Sequence, residues 1–448
     1  IRRNFETIPE IKYTQYDHYV SLRLSPDDPL FPHQWGLHNT GVNANGDSTG
    51  LEDADIDAPE AWEISTGGYT VFGHEIVAGV VDGGCDMIHP DLLDNFWLNP
   101  GDTAANGIDD DENGWVDDFQ GWNAYNHTGL IPGTTYDSNH GTHVAGIVGA
   151  HSNNQNQVAG VNWDVKLMIV AGASTTTATA IEAYSYILEQ KLAWLESGGT
   201  SGAFVVTVNS SFGVSADCES GDFSAWNDMY DAMGEAGILS VAATLNGSAN
   251  VDVVGDVPTG CSSPYLITVT NTTKYDTRAA AGYGAESIDL GAPGSSIMST
   301  YYFQNTGYKT GTSMAAPHVT GAVALMHAAA SEDLAQYYED QPGFASLLFK
   351  SMILSTVDTL DALRGITVSE GRLNLHRAVM EAATWSATGD GNLNQDDFVN
   401  IQDVIIMVNL ILGTIEATPE MLLAGDLTYD SQVTVQDVIT LINIILGG

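Results

Sequence analysis

From about Asp55 to Ala383, short apolar, β-branched runs alternate with longer helical runs rich in small residues. Buried parallel strands are apolar on both faces, and their crossovers are usually helices. The alternation therefore predicts an α/β domain, a parallel sheet with helices on both faces. The predicted strands are HEIVAGVVD ending at Asp82, AFVVTVNSS ending near Ser210, GILSVAAT ending near Thr244, YLITVTN and SIDLGAPG. Helices are expected to open at His140 and at Ser313, with Pro317 near the first turn, where a missing N–H costs least. Ligands of open α/β sheets sit outside the carboxyl ends of strands, so Asp82, Ser211 and Asn246 are expected on one rim.

The two ends of the chain break this pattern. Residues 1–24 fit neither period and close on the loop-forming SPDDP. After residues 383–389, ATWSATG, the segments at 392–413 and 426–448 superimpose with a 34-residue period. Three regions follow: a terminal arm over 1–24, the α/β domain over 25–384 and a small helical repeat module over 385–448.

Composition narrows the partners. The net charge of −44 comes from 57 Asp and Glu set against only 13 Lys and Arg. Such a surface repels nucleic acid and anionic lipid and attracts divalent cations. Apolar runs such as Val404 to Leu412 are far shorter than the ~20 residues a membrane helix needs, so no membrane insertion is expected. The chain starts at Ile1, which reads as a trimmed product whose targeting segment is gone. Of three cysteines, Cys218 and Cys261 could pair in an oxidising compartment or stay reduced, and Cys85 reads as a buried small apolar residue.

The strand reading brings Ser313, His140 and Asp82 to the same rim. A hydroxyl is a poor nucleophile near neutral pH, so a histidine must take its proton and a buried carboxylate must hold that imidazole in the right tautomer. Asn246 adds an amide donor for a developing oxyanion. Zinc is the rival use of His140 and His143, three apart in SNHGTHVAG, but no third ligand motif accompanies them.

Four segments, IVAGVVDGGCDMIHPDL (76–92), NHGTHVAGIVG (139–149), VAATLNG (241–247) and GTSMAAPHVTGAVALM (311–326), resemble the active-site motifs of the subtilisin-like serine proteases, the subtilases. The resemblance covers roughly residues 26–382, and the order Asp, His, Ser is the one known for that family. It implies that Asp82 orients, His140 is general base and acid, Ser313 is the nucleophile, Asn246 donates to the oxyanion, and His143 packs inside its helix. Gly83, where the family usually has a hydroxyl or acid, removes a bond to Asp82, and Leu245, in place of a small residue, narrows the cleft. These two departures motivate the alternative of an inactive subtilase domain in a calcium-dependent docking protein.

The resemblance also implies a substrate chain added as a strand to an exposed edge. Ser211, Phe212 and Gly213 would form one wall of the primary pocket and Ala243 the opposite wall. Asp256 at its floor would favour basic side chains, an exposed loop acid being the plainer reading.

Calcium is the implied cofactor. A first site would take the Asp28 and Asp91 carboxylates, the Asn154 amide and carbonyls of His151, Asn156 and Val158. A second would use Asp109, Asp111, Asn113 and Asp117 of NGIDDDENGWVDD. The terminal repeats resemble dockerin modules, paired EF-hand-like loops each followed by a helix. The first loop would ligate through Asn392, Asn394, Asp396, Phe398 (carbonyl), Asn400 and Asp403, and the second through Asp426, Thr428, Asp430, Gln432 (carbonyl), Thr434 and Asp437. Asn392 in place of Asp and Asp397 in place of Gly weaken the first loop. The expectation is a secreted, monomeric, calcium-stabilised serine endopeptidase acting on proteins or peptides. Its tail would bind a cohesin-like or cell-surface partner or serve as a stabilising appendage. Residues 1–24 resemble the end of an inhibitory propeptide, an ordinary arm being the alternative.

Overall fold

The computed structural model describes residues 24–42, 50–173, 176–386, 389, 391–396, 398–427 and 432–446. Residues 1–23 of the expected arm, Thr428 and Asp430 of the second tail loop, and Asp397 lie outside them. The strands are β1 (Val77–Asp82), β2 (Trp122–Asn123), β3 (Lys166–Ala171), β4 (Val205–Ser210), β5 (Leu239–Ala243), β6 (Leu266–Thr272), β7 (Leu290–Pro293), β8 (Ile297–Tyr301), β9 (Asn305–Lys309), β10 (Asp358–Thr359) and β11 (Gly371–Arg372). The α/β region carries helices α1 (Ala58–Trp62), α2 (Tyr136–Gly149), α3 (Thr177–Ser197), α4 (Ser224–Glu235), α5 (Val251–Val254), α6 (Thr312–Ala329), α7 (Glu332–Asp340), α8 (Pro342–Ser355) and α9 (Leu375–Thr384). The tail adds α10 (Ile401–Ile411), α11 (Pro419–Gly425) and α12 (Val435–Ile445).

Nine strands form one sheet in the order β10-β11-β7-β6-β5-β4-β1-β3-β2, parallel except at β10 with β11. The all-buried β1 explains its unbroken apolar run: Val77 and Val81 join the core on one face, Ala78 and Val80 the core on the other. Chain order reverses at β1, which has β3 on one side and β4 on the other. That switch point opens a crevice at the carboxyl ends of β1 and β4, where Asp82 and Ser211 stand. The five expected strands are all present. The apolar run at 166–171 is a sixth long strand, and β8 and β9 form a separate antiparallel hairpin, both missed by the reading above.

Two helix starts differ from expectation. Helix α2 begins at Tyr136, one turn before His140, because the Thr135 hydroxyl accepts the Ser138 N–H (2.9 Å) and caps it there. Helix α6 begins at Thr312, which puts Pro317 in its second turn. A proline there leaves the carbonyl four residues back, that of Ser313, without its helical donor. Ser211 Oγ donates to that carbonyl instead (3.0 Å), so the helix is not broken.

Cys218 and Cys261 form a disulfide with Cα atoms 5.1 Å apart, and Cys85 is fully buried. In the tail, α10 packs on α12 around a small core of Leu393, Val404, Met407, Leu427 and Leu441. Leu423 of α11 packs against the main core, and Trp385 lies against Tyr337 of α7. Among the described residues no helix is long and apolar enough to cross a membrane.

Candidate active site

Asp82 ends β1 and His140 lies on α2, 58 residues further on. His140 Nδ1 is 2.8 Å from Asp82 Oδ2 and 3.0 Å from Oδ1, which fixes Nδ1 as the protonated nitrogen and leaves Nε2 as the acceptor. The Asp82 side chain is 5% exposed and that of His140 28%, so the carboxylate is buried beneath a ring that reaches solvent. Burial works against the imidazolium, but the Asp82 charge and hydrogen bond outweigh it, and the His140 pKa moves up.

Gly83 does not leave Asp82 short of a bond, as the sequence implied. Its own N–H donates to Asp82 Oδ1 (2.7 Å). A Cβ at this position would come within 2.2 Å of Asp137 Cβ, so packing against the first turn of α2 excludes a side chain.

Ser313 occupies the second position of α6. Its hydroxyl donates to the Ser211 carbonyl (3.3 Å) while Ser211 Oγ donates back to the Ser313 carbonyl. Val81 pairs in register with Ser210, so Asp82 at the end of β1 and Ser211 just past β4 follow on neighbouring chain ends, and Ser313 is tied to the second of them. Behind Ser211 runs a buried chain: Asn209 Nδ2 donates to Ser211 Oγ (2.9 Å) and Thr320 Oγ1 donates to Asn209 Oδ1 (3.1 Å). Sequence reasoning missed Asn209 and Thr320; two amide and hydroxyl groups in otherwise apolar or small-residue runs were the available signal.

Asn246 is oriented by its neighbour. Thr312 N–H donates to Asn246 Oδ1 (3.0 Å), so the NH₂ end of the amide is directed away from α6. Asn246, Ser313, Ser211, Phe212, Gly213, Ala243, Leu245 and Asp256 line one cleft of about 230 Å³. Asp256 is no exposed loop acid. It is 3% exposed and accepts from Thr259 Oγ1 (2.6 Å), the Leu245 N–H (3.1 Å) and Thr244 Oγ1 (3.4 Å). Desolvation raises its pKa to about 6 despite these bonds.

His143 is fully buried. Its Nε2 donates to the carbonyls of Ile297 (3.0 Å) and Gly307 (3.1 Å), and burial lowers its pKa to about 3. It is a neutral strut that pins the β8–β9 hairpin to α2, not a zinc ligand.

In the loop read as the first calcium site the two carboxylates act on each other, while Asn154 Oδ1 accepts the Asn156 N–H (2.7 Å). Asp28 and Asp91 are both buried, and Asp28 Oδ1 has no hydrogen-bond partner. Burial raises both pKa values, that of Asp91 to about 6 with the Asp28 charge adding to it. The Asn154 amide nitrogen points at the His151 carbonyl (2.8 Å) and Asp91 Oδ1 (3.4 Å), and Asn156 and Val158 follow on the same loop, the Val158 N–H donating to Asp91 Oδ2. An orphaned buried oxygen beside a second carboxylate fits a hard cation.

The second loop is less unified. The Asp109 carboxylate holds the Asn113 and Gly114 N–H groups, and Asp117 holds those of Asn106 and Gly107 on a separate turn. Asp111 and Asn113 instead meet Asn99 and the buried Asp118. In the tail, Asn394, Asp396, the Phe398 carbonyl, Asn400 and Asp403 are linked by hydrogen bonds in one loop, which Asn392 joins through the Asp396 carbonyl. Asp437 receives the Leu427 and Thr434 N–H groups in the second loop, where Asp426 and Gln432 flank the undescribed stretch. Asn400 with Asp403 and Thr434 with Asp437 also form capping boxes for α10 and α12. Among the described residues no three His, Cys, Asp or Glu side chains converge, so a cation in these loops would draw on amide and carbonyl oxygens as well.

Comparison with known proteins identifies the family. The family model described as "Subtilase family" matches residues 73–371. An extracellular protease of Xanthomonas campestris pv. campestris is 29% identical over 352 residues, 74% of this chain and 54% of its own. The major intracellular serine protease of Bacillus subtilis is 28% identical over 313 residues, 68% of this chain and 83% of its own. The chain thus spans about half the length of the first of these relatives. A solved structure titled as proteases from Pseudoalteromonas arctica PAMC 21717 aligns with a TM-score of 0.53 at 24% identity, over 80% of this chain and 99% of that one, a likeness of fold. The match over residues 73–371, which spans most of the sheet, places this chain in the subtilase family.

Proposed function

We propose that the chain is a secreted serine endopeptidase, stabilised by calcium, that hydrolyses peptide bonds of proteins. The observation that carries this reading is the His140 to Asp82 hydrogen bond at 2.8 Å on the rim where Ser313 and Asn246 share a cleft. With a substrate in the cleft, the Ser313 hydroxyl turns from the Ser211 carbonyl to His140 Nε2, gives up its proton and attacks the scissile carbonyl. The tetrahedral oxyanion is met by Asn246 Nδ2 and by the Ser313 N–H, which has no acceptor four residues back at the head of α6. His140 then protonates the leaving amine, and the acyl-enzyme is hydrolysed by water that loses its proton to the same nitrogen. A fluorophosphonate probe should label the chain at Ser313 alone and abolish cleavage of a denatured protein. Labelling elsewhere, or none, would refute the assignment.

The buried Asp256 supports a preference for Lys or Arg before the scissile bond, and its pKa gives that preference a sign with pH. Below about 6 the acid is neutral; above it the pocket holds an anion. The kcat/KM ratio of a Lys to a Leu peptide is therefore expected to rise about 10- to 100-fold between pH 5 and pH 8, a span typical of a charge-assisted contact. Asp256→Asn should flatten the ratio at all pH values, and an unchanged ratio would remove Asp256 from the pocket.

Calcium would be held by Asp28, Asp91, Asn154 and the carbonyls of the 151–158 loop, with Asp109, Asp111, Asn113 and Asp117 and the two tail loops as further candidates. When bound it supplies positive charge to crowded carboxylates. Residues 25–384 then act as the catalytic domain and 385–448 as a dockerin-like module. Residues 1–24, of which the first 23 lie outside the described residues, would be the end of a propeptide. The module presents two matching sets of exposed apolar residues, Ile401, Ile405 and Leu412 on and just past α10 and Val435, Ile439 and Leu446 on and just past α12, which supports a partner-binding role. Deleting 385–448 should leave peptide cleavage intact and remove calcium-dependent partner binding; loss of cleavage would contradict this division. The named extracellular protease relative and the disulfide support secretion.

A further inference from the structure

We infer that Asn209 and Thr320 are positioning residues for the Ser313 nucleophile, acting through the Ser211 hydroxyl on the backbone of α6. This rests on the endopeptidase reading and adds to it two buried groups outside the substrate cleft. Pro317 creates the need for them. Its ring nitrogen carries no hydrogen, so the Ser313 carbonyl lacks a helical donor and takes the Ser211 Oγ hydrogen instead (3.0 Å). The Ser313 hydroxyl donates to the Ser211 carbonyl (3.3 Å), so Ser211 holds the nucleophilic residue at two points.

A hydroxyl turns about its Cβ–Oγ bond, so a substitute donor works only while its hydrogen is aimed. Asn209 Nδ2 donates to Ser211 Oγ (2.9 Å), which fills a lone pair and leaves the hydrogen for the Ser313 carbonyl. The opposite turn of the amide would draw that hydrogen to Oδ1 and strand the carbonyl. Thr320 holds the productive turn, its Oγ1 donating to Asn209 Oδ1 (3.1 Å). The Ala316 carbonyl lies 3.3 Å from the same hydroxyl but has the Thr320 N–H as its helical donor. Thr320 stands two turns beyond Ser313 on the same side of α6, so the chain of bonds begins and ends on the helix that carries the nucleophile. Asn209 and Thr320 are wholly buried, and Ser211 and Ser313 nearly so. Reversing one bond there leaves a polar group unpaired away from water, which costs more than the bond contributes, so the orientation is held as a unit.

The chain matters at one step. When the Ser313 hydroxyl turns to His140 Nε2 it lets go of the Ser211 carbonyl, while the bond from Ser211 Oγ to the Ser313 carbonyl still ties the two residues together. The Ser313 oxygen and N–H then stay aimed at the scissile carbonyl, where a misplacement of about 1 Å costs about 10²-fold in rate. Asn209 and Thr320 do not line the cleft, so substrate binding does not draw on them.

The test compares Asn209→Asp, Thr320→Val and Thr320→Ser with the wild-type chain in kcat, KM, rate of fluorophosphonate labelling and melting temperature. Asn209→Asp puts an acceptor where the donor stood and should lower kcat by about 10²-fold with KM nearly unchanged. Thr320→Val removes one link and should lower kcat and labelling rate together by about tenfold, whereas Thr320→Ser keeps the donor and wild-type turnover. The acid limb of the pH profile should not move, because neither residue touches the His140 to Asp82 pair. Thr320→Val combined with Ser211→Ala should be no slower than Ser211→Ala alone. Wild-type kcat in Thr320→Val with a lowered melting temperature would reduce the chain to a tie within the core and overturn the proposal, as would additive losses in the double variant. Should Asn209→Asp or Thr320→Val fail to fold, Ser211→Ala decides: a loss in kcat alone supports the chain, and wild-type turnover overturns it. If the wild type is labelled at Ser313 and cleaves peptides while these variants match it, this inference fails alone. If the wild type cleaves no peptide, the endopeptidase reading fails with it.

Discussion

Ser313→Ala is expected to lower peptide turnover by about 10⁶-fold with KM nearly unchanged, a magnitude established on a member of the same family. The alanine still fits the α6 head, where the Ser313 carbonyl rather than its hydroxyl receives Ser211 Oγ, so binding and folding persist while the nucleophile is gone. Asp82→Asn should cost about 10⁴, because an amide in place of the carboxylate can hold the wrong imidazole tautomer. Asn246→Ala should cost about 10²–10³, again a value from this family, since one oxyanion donor of two is lost. In the proposed mechanism Ser313, His140 and Asp82 act as a unit, so Ser313→Ala with Asp82→Asn should be no slower than Ser313→Ala alone. Burst-phase and steady-state kinetics on one peptide check all four variants. A Ser313→Ala protein retaining a tenth of the activity would remove the proposed mechanism.

Chelation is expected to lower the melting temperature of the α/β domain by roughly 8 °C. A cation at a thousand times its Kd adds about 4 kcal/mol to folding, and each kcal/mol moves a domain of this size by roughly 2 °C. The expectation falls on the first loop because Asp28 and Asp91 are buried together and Asp28 Oδ1 is without a partner. The Asn153 N–H bonds Asp28 Oδ2 (2.7 Å) and the Val158 N–H bonds Asp91 Oδ2 (2.8 Å), so the 151–158 loop would loosen as the carboxylates separate. Asp28→Ala should melt low with or without chelator. Calorimetry resolves this transition from that of the tail, and an equal melting point in calcium and in chelator would argue against the site.

Much of the fold was legible. Five strands were readable because a strand buried on both faces must be an apolar run, whatever surrounds it. β3 is as apolar as β1, but its opening Lys166 and its place after an irregular stretch hid it. The β8–β9 hairpin carried no such signal: its IMSTYYFQNTGYK run is partly exposed and held by His143, Ser299 and Thr300. Helix starts were misplaced by up to a turn because caps are set by a single hydrogen bond, such as that of Thr135.

The sequence alone determined which groups are candidates for the site, their order along the chain and the strand ends that carry two of them, since residue type and period are local properties. It also determined the tail repeat, through 34-residue identity of spacing. Only the tertiary structure decided what those groups touch. The Gly83 N–H serves Asp82, Thr312 turns the Asn246 amide, Ser211 accepts the burden of Pro317, and Asp256 is buried at the cleft. Many of these contacts join residues dozens or hundreds of positions apart, and such pairs are fixed by the order of strands in the sheet and the packing of α2 and α6 on it, which no local propensity encodes.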